Sequence, residues 1–282
     1  MRATVICAVI SGILILGVSF PAAAQDEETT RFAEIEGLIQ DGLYEQALER
    51  ARCFLDGFPA SPNRELVLYR LGTVQLRLER FDDAAATFED YLAEYPAGLN
   101  LNEAKLLLAT AYDGAWRHDD AIRVLTSLLE SRGISDDLRL ASLEKRAGIY
   151  SRIGRLELAR KDMQELVSMR PTAQRRFKLA NLLYETGELR RSEGVFRDTI
   201  DSGELNDEQR RTAFVRLGIA LYQRGRYQEV IELLQPLTTL YKDDPVLTGT
   251  LAWSLFRLQQ YKEAYDIFST LPEDREIPAG RR

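Results

Sequence analysis

The sequence predicts an all-α solenoid of about seven helix-turn-helix repeats. Three observations carry this. Apolar residues recur at helical spacing along most of the chain. Small residues recur at intervals of 37, 37, 38, 33, 38 and 34. No linker, low-complexity tract or alternating strand pattern interrupts them.

The register is set by the second helix of each pair. Its small residue is Ala47, Ala84, Ala121, Ala159, Ser192, Val230 and Ala264 in turn. Twelve residues earlier, on the first helix, stand Ile35, Gly72, Ala109, Ala147, Ala180, Gly218 and Ala252. Small side chains at both places let two helix backbones approach where they cross. Ser192, Val230 and Ile35 depart from that rule. Three residues before the second-helix anchor comes an aromatic or a leucine: Tyr44, Phe81, Leu156, Leu189, Tyr227 and Tyr261, with His118 in the third repeat. Gly42, Gly154, Gly187 and Gly225 fall between the helices, where a left-handed residue stops the first one.

The second repeat carries the pattern most fully, as Leu68, Leu71, Gly72, Phe81, Ala84, Phe88, Tyr91 and Pro96. In this order and spacing the residues resemble the tetratricopeptide-repeat family, and the resemblance extends over residues 30–272. It implies a right-handed superhelical solenoid whose first helices line a concave side that binds other proteins. The intervals longer than 34 place extra residues after the second helix, as at Pro59–Pro62 and Pro96–Leu101. Lengthened repeats of this kind look like those of Gram-negative envelope proteins.

The N-terminus reads as a secretory signal over residues 1–24. Arg2 precedes a mostly apolar run from Thr4 to Phe20, and Ala22 and Ala24 make a small-x-small site. Cleavage is expected between Ala24 and Gln25, leaving a short acidic mature N-terminus over 25–29. The rival expectation is an uncleaved membrane anchor, because the run approaches the length that spans a bilayer. Residues 273–282 form a polar C-terminal tail.

Composition narrows the function. Apolar residues are 45% of the 282 and charged residues 29%, as in folded soluble chains. A net charge of -7 argues against nucleic acid, whose phosphates need a basic face. Removal of Cys7 with the signal leaves Cys53 alone, so neither an internal disulfide nor a cysteine zinc site is expected. Cys53 lies in an amphipathic helix and is expected in the core. The single histidine, His118, is expected to be a solvated turn residue beside Asp119 and Asp120. No phosphate-binding glycine loop, metal-ligand cluster or convergent catalytic group is visible. The acidic pairs Asp82–Asp83 and Asp243–Asp244 read as helix starts. No enzyme activity, cofactor or small-molecule substrate is therefore expected.

The resemblance also indicates which side chains face inward: those three before, one after and four after the small residue of the first helix. In repeats five to seven these include Phe177, Asn181, Tyr184, Val215, Ile219, Tyr222, Trp253 and Phe256, with Arg257 beside them. Aromatic rings with scattered polar groups suit a peptide-binding wall. The rival reading is that the rings pack between neighbouring helices. The N-terminal repeats present Phe32, Glu36, Ile39, Tyr69, Thr73 and Leu76; the middle presents Leu106, Thr110, Asp113, Glu144, Gly148 and Ser151. At the end of the array Tyr265, Phe268 and Leu271 are expected to leave an apolar edge that docks a partner or a second copy. Taken together, the chain reads as an exported scaffold or adaptor for envelope proteins. The alternative is a membrane-anchored, chaperone-like subunit of the export machinery.

Overall fold

The computed structural model describes residues 22–241 and 243–271. Among the described residues there are fourteen α-helices and no strand. The helices are α1 (Ala22–Gln40), α2 (Tyr44–Gly57), α3 (Arg64–Arg77), α4 (Phe81–Glu94), α5 (Leu101–Gly114), α6 (His118–Glu130) and α7 (Asp136–Arg152). They continue as α8 (Leu156–Met169), α9 (Ala173–Glu185), α10 (Leu189–Asp201), α11 (Asp207–Gln223), α12 (Tyr227–Leu234), α13 (Pro245–Arg257) and α14 (Tyr261–Phe268). Odd and even helices pair as seven hairpins, one for each sequence repeat.

The hairpin turn is the same device seven times. Residues 42, 79, 116, 154, 187, 225 and 259 all have φ between 56° and 81°. Their N–H groups bond back three residues, as from Gly187 to the Tyr184 carbonyl at 3.1 Å. The next N–H bonds back five, as from Glu188 to the Leu183 carbonyl at 2.8 Å. This pair of bonds satisfies carbonyls that the end of a helix leaves open. The residue after the left-handed one is already the cap of the second helix. The aromatic or leucine that recurs in the sequence is that helix's first residue. Three of the left-handed residues are not glycine: Glu79, Trp116 and Gln259. Each bears a steric cost that glycine avoids.

First helices begin differently. Ser135, Thr172, Asn206 and Asp244 cap α7, α9, α11 and α13 by accepting backbone N–H groups. At α11 the Gln209 side chain answers back to Asn206, a reciprocal cap. Asp82 and Asp83 occupy the first turn of α4, as the charge pattern predicts.

The fourteen anchor positions are all buried. At Gly72 a Cβ would sit 2.8 Å from Phe88 Cζ, and at Gly218 one would sit 2.8 Å from Leu234 Cδ1. Where the first-helix anchor is the large Ile35, the residue at the position of Phe88 is Ala51, so bulk has moved across the crossing. Both are buried in one apolar cluster. Ser192 departs from alanine without leaving its hydroxyl unpaired: Oγ donates to the Ala180 carbonyl at 3.0 Å, anchor to anchor. Val230 is fully buried in the apolar cluster that also holds Leu217 and Leu234.

The chain divides into two compact units, Met1–Leu99 and Asn100–Arg282. In the first, α1 to α4 form two hairpins around Phe54, Val67, Leu71 and Ile35. In the second, α5 to α14 form five hairpins packed in sequence order, with one core cluster running from α9 to α14. Within this unit first helices of neighbouring repeats touch: α5 with α7, α9 with α11, and α11 with α13. Adjacent second helices do not pack together to that extent. The first helices are thus the tighter layer.

Two expectations are corrected. Cys53 is exposed, because the buried stripe of α2 runs through Ala47, Leu48, Ala51 and Phe54. Residues 25–29 lie within α1, and the Glu28 carboxylate there accepts from Ser61 Oγ at 2.6 Å and Asn63 Nδ2 at 3.2 Å. His118 is not solvated; it starts α6, with its side chain 17% exposed and Nδ1 3.1 Å from Asp113. Residues 1–21 of the expected signal and the tail 273–282 lie outside the described residues, and the expected cleavage after Ala24 falls within the first turn of α1.

The anchor contact is testable. Gly72→Ala should destabilise the protein by about 1–3 kcal/mol through overpacking against Phe88. Adding Phe88→Leu should recover part of that loss, since Leu125 already stands at the matching position opposite Ala109. Urea denaturation midpoints of the two variants check this.

Candidate functional site

The first-helix layer is stitched by polar contacts that run from one repeat to the next. The Glu36 carboxylate accepts from Arg70 at 2.8 and 3.2 Å. Asp113 accepts from Arg152 at 3.1 Å, and Glu144 from Arg175 at 3.1 Å and Lys178 at 3.3 Å. Glu185 accepts from Arg216 at 2.8 Å. The inward acids of the first, third and fourth repeats are therefore engaged by cations of the repeat that follows.

Repeats five to seven differ. All nine residues singled out from the sequence lie on first helices there: Phe177, Asn181 and Tyr184 on α9, Val215, Ile219 and Tyr222 on α11, and Trp253, Phe256 and Arg257 on α13. Their rings divide between packing and surface. Phe177 meets Phe196 of α10 edge-on, with ring centres 6.4 Å apart. Trp253 touches both Phe268 of α14 at 5.2 Å and Phe256 at 5.8 Å. Tyr222 lies 5.3 Å from Tyr227. Tyr184, Tyr222 and Val215 border the shared apolar cluster while remaining half-buried. Phe256 is exposed. Asn181 and Ile219 are half-buried and join no ring contact.

The electrostatics add residues that periodicity alone does not mark. The Arg216 guanidinium lies 5.4 Å from the centre of the Tyr184 ring, a cation–π contact across repeats five and six. Burial pushes the Tyr184 phenol above its ordinary pKa, against the opposing pull of Arg216. Arg257 Nε donates to Tyr222 Oη at 3.4 Å, across repeats six and seven. An open cleft of about 390 Å³ lies where α11 and α13 begin, lined by Arg211, Thr212, Val215, Arg216, Asp244 and Val246 among others. Among the described residues four buried polar atoms lack a partner, all on first helices: Gln75 Oε1 on α3, and Arg176 Nε, Asn181 Oδ1 and Trp253 Nε1 in repeats five to seven. A buried polar atom left unpaired costs about 1–3 kcal/mol.

Among the described residues no group of three or more His, Cys, Asp or Glu is placed to hold a metal ion. No described helix is long and apolar enough to cross a membrane.

Helix hairpins stacked in register, with a first-helix layer studded by aromatic rings, define a helical-repeat protein. Residues 32–98 and 177–245 match one Tetratricopeptide repeat family model, and 221–276 match a second. The chain belongs to the tetratricopeptide-repeat family. The stretch outside those matches, 99–176, contains the third and fourth repeats, where Trp116 and His118 replace the usual glycine and aromatic but the turn geometry is kept.

Solved structures agree on the fold. A tetratricopeptide repeat protein from Parabacteroides merdae is similar with a TM-score of 0.56 at 15% identity, over 88% of this chain and 95% of that one. The C-terminal part of a TPR repeat-containing protein from Cytophaga hutchinsonii gives 0.61 at 16%, over 87% and 96%. The structure of Naa15/Naa10 bound to HypK-THB gives 0.60 at 15%, over 86% of this chain and 36% of that one. At such identities the likeness shows the fold alone.

Proposed function

We propose that this chain is an exported, non-enzymatic adaptor that holds segments of other envelope proteins against the first helices of repeats five to seven. The observation that supports the binding site is the contrast within one layer. Inward acids of the first, third and fourth repeats are bonded to the following repeat, whereas repeats five to seven present half-buried rings and unpaired polar atoms. A neighbour in fold, Naa15/Naa10, is bound to HypK-THB, which fits the use of such folds as platforms for other chains.

Export rests on the apolar run of residues 4–20 and the Ala22-x-Ala24 pair. N-terminal sequencing of the protein from cells should give Gln25; Met1 would instead point to the anchored, chaperone-like subunit. For the groove, Tyr222→Ala, Trp253→Ala and Phe256→Ala combined should abolish crosslinks to envelope proteins from a photoreactive residue at Ile219. The helical circular dichroism should persist. Undiminished crosslinking would refute the site.

A second contact is favoured by one observation. In repeats four to six the residue after the second-helix anchor is engaged by the next repeat: Arg160 bonds Glu188, Glu193 bonds Arg226, and Ile231 packs in the cluster with Leu247 and Leu251. The corresponding Tyr265 is 72% exposed, and its neighbour Tyr261 is 57% exposed. Lys262 and Asp266 flank this stripe one turn apart. Across a two-fold axis, antiparallel α14 helices would set Lys262 against Asp266 of a second copy, so a homodimer is the occupant that fits. Light scattering of the purified chain should show dimers at tens of micromolar and monomers for Tyr265→Lys. A monomer at every concentration would exclude this contact.

A further inference from the structure

The groove proposed above has a chemical preference, and the inference that follows rests on that reading. We propose that the first-helix face of repeats five to seven takes a peptide segment in which carboxylates stand beside a bulky apolar side chain, and that Arg257 receives one of those carboxylates.

Internal register is the first ground. Counted from the first-helix anchors, Asp113 is four after Ala109 and Arg152 is five after Ala147; they form an ion pair at 3.1 Å. Tyr222 and Arg257 occupy the same two places, relative to Gly218 and Ala252. Here the acid is replaced by a phenol, and the guanidinium makes one long bond of 3.4 Å to a neutral oxygen. No carboxylate among the described residues lies within ion-pair distance of Arg257. Where repeats three and four hold a cation and its anion, repeats six and seven hold the cation alone.

Charge distribution is the second ground. In repeats five to seven the first helices α9, α11 and α13 carry seven Lys or Arg and three Asp or Glu. The second helices α10, α12 and α14 carry four and seven. A chain of net charge -7 therefore places a basic layer where the rings are. Such segregation draws acidic segments to this face and repels them from the other.

Unpaired donors are the third ground. Arg176 Nε and Trp253 Nε1 are both N–H groups with no acceptor among the described residues, and Arg176 also has no carboxylate within ion-pair distance. A carboxylate or peptide carbonyl reaching them after small side-chain movements would remove that penalty. Beside Arg257, the exposed ring of Phe256 and the half-buried Tyr222 and Trp253 supply the contact for an apolar side chain.

Bead-bound random octapeptides incubated with the labelled full chain test this directly. Retained sequences should be enriched in Glu and Asp adjacent to Phe, Tyr or Leu, with retention falling at least tenfold between 50 and 500 mM salt. Arg257→Gln should lose the acidic enrichment. Tyr222→Asp, which restores the internal anion seen at Asp113, should lose it too while keeping the wild-type unfolding midpoint within a few degrees. A retained pool without acidic enrichment overturns the inference yet leaves the groove standing. An acidic pool that Arg257→Gln keeps unchanged overturns the role of Arg257. An empty pool overturns the inference, and the crosslinking experiment above then decides separately whether the groove itself survives.

Discussion

The close crossing of two helices within each hairpin is the contact on which the rest of this protein depends. It requires that one side of the crossing be small enough for the other to enter. Glycine meets phenylalanine at 72 and 88, glycine meets leucine at 218 and 234, and isoleucine meets alanine at 35 and 51. What recurs is a sum of volumes at a fixed place, not a residue type. Dense interiors tolerate such exchanges provided that total volume is kept. Ser192 shows a second tolerance: a polar atom is accepted there because the facing carbonyl can receive its hydrogen.

Once the hairpin closes, the turn geometry hands the chain from one helix to the next with no loop between. The left-handed residue ends the first helix, and its successor caps the second. A helix start made this way needs no Ser, Thr, Asp or Asn, and the caps of α4, α6, α8 and α12 are arginines. Those side chains are then free for other work. Arg80 reaches Glu45, Arg155 reaches Asp119, and Arg226 reaches Glu193, each one repeat back. Exposed pairs of this kind contribute little energy singly. Their constant direction helps to hold successive hairpins in register.

The same stitching bears on where the proposed binding surface lies. On the first-helix layer, each acid paired with the next repeat is a group withdrawn from solvent and from ligands. After Glu185 the ion pairing between first helices thins to Arg211 with Asp244, 3.6 Å apart, and rings and unpaired polar atoms take over. The proposed binding face in the last repeats is thus the counterpart of an ion-pair series that thins out, while stacking continues by apolar contact and a few polar links such as Arg257 to Tyr222.

Repeat number and hairpin boundaries were legible from spacing, because a solenoid repeats its contacts at short sequence separation. Gly42, Gly154, Gly187 and Gly225 announced left-handed turns by their residue type. Glu79, Trp116 and Gln259 did not, since only the neighbouring repeats force an ordinary residue into that conformation. Cys53 was misplaced because one residue beside a helical stripe differs from one within it by a rotation that periodicity resolves poorly. His118 looked like a solvated turn until Asp113, five residues away, was seen to hold it. By itself the sequence determined which residues are small, apolar or charged at each point of the repeat, and that suffices for the fold. Which cation meets which acid, and therefore which are left unpaired, was decided only by tertiary structure, because ion pairs between repeats depend on side-chain reach across about 35 residues of chain that no local pattern encodes.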